Sequence, residues 1–359
     1  MVQSRKSGLK LPASQKQPPG ELALLSAIRA RAADGALAAK GRSRARLGVR
    51  LGIGDDCALL QLRPGEELAV TTDLSIEGRH FRLDWHPPES VGHRTLARGL
   101  SDLAAMGATP VAAFLSLGLP RELTDASGSS RTLPKTWVDR FLDGLLVLAA
   151  QHGVPLAGGD LAESPLAIAD IVLTGSVPRG QALLRSGAGP GDRIYVTGSL
   201  GGAAAELAAL GQSPQSFASA TQASKTAPHL YPQPRLAQGL WLRKHRKASA
   251  AMDLSDGIST DLARLCTESG VSAEVTASAL PLGHGASIAM ALHGGEDYEL
   301  LFTAPASEKI PRRIAGIAIT AIGRIFPANS LRPKVSLLTE TGLETLEPHG
   351  WEHFSSLDE

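Results

Sequence analysis

Seven aspartates stand in short turns rich in Gly, Ser and Thr, at the ends of apolar runs. They are Asp55, Asp56, Asp73, Asp102, Asp160, Asp253 and Asp256. Small neighbours at such positions let a carboxylate point into a cleft. Several carboxylates gathered in one cleft repel one another strongly unless cations neutralise them. The fold must therefore bring distant segments together around cations. The oxygen ligands favour Mg²⁺, which in proteins usually also holds substrate phosphates.

The composition is that of a globular chain long enough for two domains. It has 359 residues, of which 43% are hydrophobic and 20% charged, with a formal net charge of +1. This balance gives no general reason to expect nucleic acid or a membrane surface as a partner. With only Cys57 and Cys266 present, a disulfide framework and a Cys-based zinc site are not expected. The longest apolar stretches, such as 145–150, fall far short of the roughly 18 residues of a spanning helix.

The first 20 residues are predicted to form a flexible tail. They contain four basic residues, three prolines and no acid. They lack the apolar core of a secretory signal. An organelle transit peptide is the less favoured alternative, because Arg and Ser are sparse. We expect a cytoplasmic protein.

Hydrophobic periodicity predicts three helices and three strands in the first half of the chain. The helices are expected over 21–39, 89–107 and about 137–148, and the strands over 68–73, 113–119 and 168–177. The basic loop within 40–50 is predicted to be a connector, with a phosphate-attracting lid as the alternative. Residues 121–135 are predicted to form an irregular surface excursion. Arg98 and Asp102 have the spacing of a surface ion pair on a helix.

A turn-rich joint at 185–192 marks the predicted domain seam. Beyond it a strand is expected over 193–197, and the glycine turn 198–202 opens an Ala-rich helix. Alternation of strands and helices continues to about residue 325. The fold class is therefore α/β, or α+β, in two domains. We assign 1–20 to the tail, 21–180 to the N-terminal domain and 181–359 to the C-terminal domain.

The common phosphate-binding loops are absent from this sequence. No Gly-Lys pair occurs, which excludes a Walker A loop, and no Gly-x-Gly-x-x-Gly occurs, which excludes the dinucleotide fingerprint. The protein-kinase motif set is missing as well. The turn 198–202 allows a phosphate at a helix N-terminus, but a simple strand-to-helix turn is the favoured interpretation. If the chain binds ATP, it must do so mainly through acids and metal ions.

Two further features have a structural and a functional interpretation. His80 follows Glu77-Gly78-Arg79, and a lone His is more often structural than catalytic. The acidic run 296–299 precedes the predicted strand 300–303, where a solvated strand start is the plain interpretation. No nucleophile elbow and no His-Glu-x-x-His spacing occurs, which argues against acyl-transfer hydrolysis and a zinc site.

The motifs resemble, in order, those of the thiamine-monophosphate kinases, a family within the superfamily of aminoimidazole ribonucleotide synthetase. The resemblance runs over nearly the whole chain from about residue 20. Its motifs are Gly52-Ile53-Gly54-Asp55-Asp56, Thr71-Thr72-Asp73, Glu77-Gly78-Arg79-His80-Phe81, Ser101-Asp102, Gly158-Gly159-Asp160, Leu184-Arg185-Ser186-Gly187, Asp253-Leu254-Ser255-Asp256-Gly257, Gly294-Gly295-Glu296-Asp297-Tyr298-Glu299 and Gly350-Trp351-Glu352-His353-Phe354.

The resemblance implies a fold, an activity and partners. The fold is the two-domain, aminoimidazole ribonucleotide synthetase-like one, in which the N-terminal domains of a homodimer join their strands into a barrel. The activity is ATP-dependent conversion of thiamine monophosphate to thiamine diphosphate, a phosphotransferase reaction with a phosphate group as acceptor. Several Mg²⁺ ions are the implied cofactors, and neither nucleic acid nor a membrane is an implied partner.

The resemblance also implies roles for particular residues. The metal ligands would be Asp56, Thr71, Thr72, Asp73, Asp102, Asp160, Asp253 and Asp256. Among them, the catalytic acids would be Asp73, Asp102 and Asp160. ATP would contact Gly159, Asp160, Arg185 and Ser255. The thiamine phosphate would contact His80, Glu296 and Trp351. Asp55 is expected to be a turn residue only.

Three alternatives stay open at this point. One is another ATP-dependent enzyme of the superfamily, such as aminoimidazole ribonucleotide synthetase, although the His80 and Trp351 motifs speak against it. The second is a catalytically silent nucleotide-binding protein, although no motif acid is missing. The third is a divalent-cation buffer that binds metal without ATP. Arg79 stands where a small or apolar residue is usual in the family, so the wall near His80 departs from the family pattern.

Overall fold

The computed structural model describes residues 21–39, 48–124, 135–214, 227–328 and 334–350. Several expectations fall outside these ranges. They concern the tail 1–20, the basic loop at 40–47, most of the excursion at 125–134, and Trp351.

The first half of the chain builds a four-stranded sheet with helices on one face. Its elements are α1 (Glu21–Ala39), β1 (Gly48–Leu51), β2 (Leu59–Gln61), β3 (Glu66–Ile76), α2 (Pro88–Ala105), β4 (Thr109–Leu119), α3 (Trp137–His152), β5 (Leu156–Glu163) and β6 (Ile168–Pro178). The sheet order is β3-β6-β4-β5, with β4 and β5 parallel and the other pairs antiparallel. β1 and β2 form a separate antiparallel pair. Within the described ranges this sheet ends at β3 and β5 and does not close into a barrel.

Helices α2 and α3 pack closely because each has a glycine at the contact. A Cβ on Gly92 would lie 1.9 Å from the carbonyl oxygen of Phe141, and one on Gly144 would lie 1.8 Å from that of Glu89. Neither position has room for a side chain. The close packing fixes α2 against the sheet, and α2 is the helix that carries part of the site described below.

The second half builds a larger, mixed sheet. Its elements are β7 (Arg193–Thr197), α4 (Gly202–Gln212), α5 (Leu236–His245), β8 (Ala250–Asp253), α6 (Ile258–Ser269), β9 (Val271–Thr276), α7 (Ile288–His293), β10 (Leu300–Ala304), β11 (Arg313–Ile314), β12 (Ile317–Pro327), β13 (Val335–Thr339) and β14 (Gly342–Thr345). The order is β14-β13-β9-β12-β7-β10-β8, with β11 paired to β12. β13 and β9 are parallel, and the remaining pairs are antiparallel.

One hydrophobic core extends across both halves. Leu100 and Phe141 of the first half belong to the same buried cluster as Tyr195, Leu242 and Phe302 of the second. The two halves are thus packed together, and the predicted boundary near residue 180 stays a prediction. No helix in the described part of the chain has the length and apolarity to cross a membrane.

The predicted helices and strands are confirmed, with small shifts at their ends. The turn predicted at Gly158-Gly159-Asp160 is wrong, because these residues lie inside β5. Gly159 has φ +147°, and a Cβ there would lie 1.8 Å from the carbonyl oxygen of Leu115 in β4. The glycine is required by the close approach of two strands.

Candidate active site between the two halves

A cavity of about 590 Å³ lies between the two halves of the chain. It is lined by seven of the predicted site residues, Asp73, His80, Asp102, Asp253, Ser255, Asp256 and Glu296. β3 and α2 supply the first-half acids. Two of the three second-half acids come from the end of β8 (Asp253) and from the loop before α6 (Asp256). The expectation that distant acid-bearing segments share one cleft is therefore confirmed for these residues.

The acids of this wall are tied to small hydroxyl residues and to one arginine. The Thr71 hydroxyl donates to Oδ2 of Asp102, and the Ser101 hydroxyl donates to Oδ2 of Asp253 at 2.8 Å. Arg98 Nη2 lies 3.3 Å from Oδ1 of Asp73. The predicted surface pair of Arg98 and Asp102 is replaced by this contact with β3, because α2 packs directly on the strand.

Burial raises the pKa values of these carboxylates, and the neighbouring arginines offset that effect only in part. Burial raises the pKa of Asp73 to about 6, against the lowering effect of Arg98. Burial also raises the pKa of Asp102, and that of Asp253 well above its usual range, where the neighbouring Asp102 adds to the effect. Oδ2 of Asp73 is buried and has no hydrogen-bond partner among the described residues. The cluster has the character of a cation site.

The loop after β8 is held in shape by Asp261 in the first turn of α6. Its carboxylate accepts the backbone N–H groups of Ser255 at 3.1 Å and Asp256 at 2.9 Å. Arg264 contacts both Asp256 and Asp261. Burial raises the pKa of Asp261 to about 6. Asp261 thus fixes the half-buried backbone of Ser255 and Asp256, and Asp256 faces the cavity.

Glu296 stands on a different wall and has the opposite electrostatic environment. Arg94 donates to Oε1 of Glu296, and Nδ1 of His229 lies 2.9 Å from Oε2. Burial would raise the pKa of Glu296, but Arg94 and His229 together hold it well below the usual range. The carboxylate is therefore ionised, and it borders the cavity.

The interpretation of 296–299 as a solvated strand start is wrong. Asp297 accepts the backbone N–H of Gly201 at 2.6 Å and that of Ala203 at 3.3 Å, so it caps α4. Glu299 is 3% exposed and bonded to Arg235 and Thr197. The glycine turn before α4 is therefore closed by a carboxylate of the protein itself, in line with its favoured interpretation as a simple turn.

Two family models match the chain. Residues 54–177 match the AIR synthase related protein, N-terminal domain, and residues 189–335 match the AIR synthase related protein, C-terminal domain. The thiamine-monophosphate kinase of Salmonella typhimurium is 40% identical over 292 residues, which are 78% of this chain and 85% of the relative. That of Bacillus subtilis is 32% identical over 85% of this chain and 94% of the relative.

The chain belongs to the thiamine-monophosphate kinase family. A solved structure of the kinase from Stenotrophomonas maltophilia has 38% identity and a TM-score of 0.70, over 89% of this chain and 96% of that one. A second, described as AaThiL complexed with AMPPCP and TMP, has 29% identity and a TM-score of 0.67, over 93% and 97%. The family resemblance expected from the motifs is confirmed.

Other residues of the kinase motifs lie away from the cavity lining. Asp56 is exposed beside the β1–β2 pair, and its N–H donates to Asp55. Thr72 is exposed on the sheet face opposite Thr71 and Asp73, because side chains alternate along β3. Gly159 and Asp160 are exposed on the edge strand β5.

Arg185 is also outside the lining, but its charge lowers the pKa of Asp102. Trp351 lies outside the described residues, although Gly350 before it lines the cavity. Among the described residues, no three His, Cys, Asp or Glu side chains are close enough to form a metal site on their own. The proposed ligand set stays a prediction.

Sequence reasoning missed five residues at this site. They are Arg94, His229, Asp261, His293 and His349. Asp261 had a local signal, since an acid in the first turn of a helix reaches back to the preceding backbone. Arg94 and His229 had none, because they are 135 positions apart and meet only through the packing of the two halves.

Proposed function

We propose that this chain transfers the γ-phosphoryl group of ATP to thiamine monophosphate and so forms thiamine diphosphate. Family membership supports this activity. So does the related AaThiL structure complexed with AMPPCP, an ATP analogue with carbon at the β–γ bridge, and TMP. The observation that carries the proposal is one cavity bordered by a cation-deficient acid cluster and, on another wall, by the ionised Glu296.

Mg²⁺ fits the acid cluster on the chemistry of its donors. Asp73 has one buried oxygen with no hydrogen-bond partner among the described residues, and the raised pKa values of the three central acids mark a shortage of positive charge. The residues proposed to hold the ions are Asp56, Thr71, Thr72, Asp73, Asp102, Asp160, Asp253 and Asp256. When bound, Mg²⁺ would offset the repulsion between two phosphate groups and stabilise the charge of the transferring group.

Separate groups of residues are proposed to bind the two substrates. Gly159, Asp160, Arg185 and Ser255 are proposed to contact ATP, and His80, Glu296 and Trp351 the acceptor. The acceptor phosphate has a second pKa near 6 and is mostly dianionic at pH 7, so it needs no general base. We therefore propose direct in-line transfer without a phosphoenzyme. A phosphorylated protein trapped after incubation with labelled ATP would contradict this step.

The outer face of the first sheet supports a homodimer. Leu68, Val70 and Leu74 lie on the face of β3 away from α2 and are 49%, 57% and 45% exposed. Alternate apolar side chains exposed on an edge strand are typical of a surface that a partner covers. The barrel formed by two N-terminal domains, and the cytoplasmic location, stay predictions. Light scattering that gives a monomer at micromolar concentration would contradict the dimer.

One assay tests the activity. The purified chain is incubated with ATP, Mg²⁺ and thiamine monophosphate, and ADP and thiamine diphosphate are quantified. We expect both products in equal amounts. ADP formed only with formylglycinamidine ribonucleotide, the acceptor of aminoimidazole ribonucleotide synthetase, would favour that enzyme. Nucleotide binding without turnover would favour a silent binder. Tight Mg²⁺ binding by calorimetry without ATP, and no turnover, would favour a cation buffer.

A further inference from the structure

The segment that carries Glu296 has an unusual backbone. Glu296 has φ +66° and Tyr298 has φ +49°, although neither is glycine. Side chains other than glycine are strained in this left-handed region, so the surrounding contacts must hold them there. Strain of this kind is frequent where a functional side chain has to be aimed.

The twisted backbone aims three acids at three different elements. Glu296 is held by Arg94 from α2 and by His229. Asp297 caps α4, and Glu299 is paired with Arg235 at the start of α5. Glu296 alone among these three acids lines the cavity. The arrangement therefore separates one cavity-facing acid from two that only hold the fold.

Behind Glu296 lies a chain of buried polar contacts through two histidines. The backbone N–H of Arg82 donates to Nδ1 of His86 at 3.0 Å. Nε2 of His86 lies 3.0 Å from Nε2 of His229, and both rings are almost fully buried. Nδ1 of His229 lies 2.9 Å from Oε2 of Glu296, a close polar contact without the angle of a regular hydrogen bond.

The Arg94 guanidinium decides the protons on neutral rings. Because a guanidinium can only donate, Nε2 of His229, 3.2 Å away, accepts from it, and a neutral His229 carries its proton on Nδ1, the nitrogen that faces Glu296. Nε2 of His86 faces the same acceptor and is then the donor. Nδ1 of His86 in turn accepts from the Arg82 N–H at 3.0 Å, although the Arg82 carbonyl oxygen lies 3.2 Å from the same nitrogen. Burial lowers the pKa of both rings, which keeps them neutral.

We propose that Arg94, His229 and His86 form a positioning relay that holds Glu296 as an ionised acceptor in a single orientation, and that this relay sets the affinity for the acceptor substrate. The inference rests on the proposed function for the identity of that substrate. Thiamine monophosphate carries a cationic thiazolium and an aminopyrimidine, and an oriented carboxylate recognises both kinds of group. The relay acts on binding through Glu296 and touches no reacting atom.

A pair of His229 variants tests the relay. His229→Leu removes the Nδ1 donor, and we expect the KM for thiamine monophosphate to rise roughly 10- to 100-fold, with kcat and the KM for ATP changed less than about threefold. His229→Asn keeps an N–H donor near the Nδ1 position, and we expect it to recover most of the loss. Equal changes in both KM values, or no difference between Leu and Asn, would overturn the proposal.

Glu299, three residues after Glu296, provides a matched control for general loosening of the segment. The double variant Arg235→Met with Glu299→Gln removes a buried ion pair of the same segment that does not border the cavity. We expect its melting temperature to change while the KM for thiamine monophosphate stays within about threefold of wild type. A rise equal to that of His229→Leu would show general loosening of the segment and would overturn the relay.

Nitrogen-15 NMR of histidine-labelled wild-type protein tests the proton arrangement without any variant having to fold. We expect neutral rings at pH 7, with the proton on Nδ1 in His229 and on Nε2 in His86. The opposite tautomers, or a doubly protonated His229, would overturn the relay. The NMR measurement does not depend on turnover. If the wild type fails to convert thiamine monophosphate, the proposed function is wrong, but the observed tautomers still show whether the proton arrangement of the relay is correct.

Discussion

The carboxylates on two walls of the same cavity have pKa shifts of opposite direction. On the wall of β3, α2 and the β8–α6 loop, burial raises the pKa of Asp73, Asp102 and Asp253. On the wall of Glu296, the buried Arg94 and His229 lower the pKa of the carboxylate despite its burial. On the first wall, Arg98 and Arg185 only partly offset the effect of burial on the pKa values, whereas on the second wall Arg94 and the contact from His229 outweigh it.

The difference teaches that acid content alone does not define a metal site. A carboxylate that is already paired with a cationic side chain is stabilised little by a divalent ion, but it can still bind a cationic organic group. A buried carboxylate whose charge is not compensated binds a metal cation more strongly. Under the proposed function, the first wall would bind the metal ions and phosphates, and the wall of Glu296 would bind the organic part of the acceptor. The following predictions test that division.

The largest effect is expected for Asp73→Asn. It removes charge from the cation-deficient wall while keeping the shape of the side chain, so turnover should fall by at least about 10³-fold, or about 4 kcal/mol. The melting temperature without metal should be unchanged or higher, because a buried, poorly compensated charge is gone. Steady-state kinetics and calorimetry measure the two quantities. The exposed Asp84→Asn is the control and should behave as wild type. Unchanged turnover in Asp73→Asn would remove the central metal role.

The next effect is a dependence of stability on pH that Mg²⁺ should cancel. The pKa of Asp73 is about 6 in the folded chain, above its ordinary value of 3.8, so the folded state holds an extra proton between these two pH values. Stability therefore falls as pH rises from about 4 through about 6, by up to about 3 kcal/mol from this one group. Mg²⁺ binds the ionised form and should restore stability at pH 7.5.

Thermal unfolding from pH 5 to 7.5, with and without Mg²⁺, measures this dependence. The difference in slope between wild type and Asp73→Asn measures Asp73 together with its coupling to Asp102 and Asp253. Asp261 and Asp297 also have raised pKa values, but they contribute to both proteins. Identical slopes in the two proteins would show that Asp73 is already compensated in the folded state. The division between the two walls would then be wrong.

Much of the acid-rich wall could be predicted from the sequence, because each acid follows an apolar strand or stands on an amphipathic helix. Asp73 at β3 and Asp102 on α2 are local consequences of such patterns. Glu296 was placed in the site by family resemblance, and the local pattern alone favoured a solvated strand start. Its ionised state depends on Arg94 and His229, which are distant in sequence and carry no local pattern.

The errors in the fold have the same origin. Gly158-Gly159-Asp160 has the composition of a turn, yet β4 approaches β5 so closely that only glycine fits at 159. Arg98 and Asp102 have the spacing of a helical ion pair, yet the packing of α2 on β3 gives Arg98 a different partner. In both cases a tertiary contact outweighed the local rule.

A smaller effect is expected for Asp261→Ala, which leaves the acids of the cavity in place. The change would leave the buried N–H groups of Ser255 and Asp256 without their acceptor, at a cost of about 1–3 kcal/mol. We expect a lower melting temperature and a higher Mg²⁺ concentration for half-maximal activity, because Asp256 loses its fixed position. Urea unfolding and a Mg²⁺ titration measure the two effects. Thr267→Ala in the same helix, which loses only an exposed bond to Ala263, is the control. A loss of stability without any shift in the Mg²⁺ requirement would separate Asp256 from the metal.

The smallest effect is expected for Trp351→Ala, a residue that is proposed to contact the acceptor. An aromatic face over the thiazolium cation contributes about 0.5–2 kcal/mol, so the KM for thiamine monophosphate should rise roughly 3- to 30-fold while that for ATP stays constant. Trp351→Phe should retain most of the affinity, because the aromatic face is kept. The neighbouring Gly350 lines the cavity. Equal losses for both substrates would mean that Trp351 stabilises the whole cavity, and the acceptor would then depend on Glu296 and the phosphate-binding side alone.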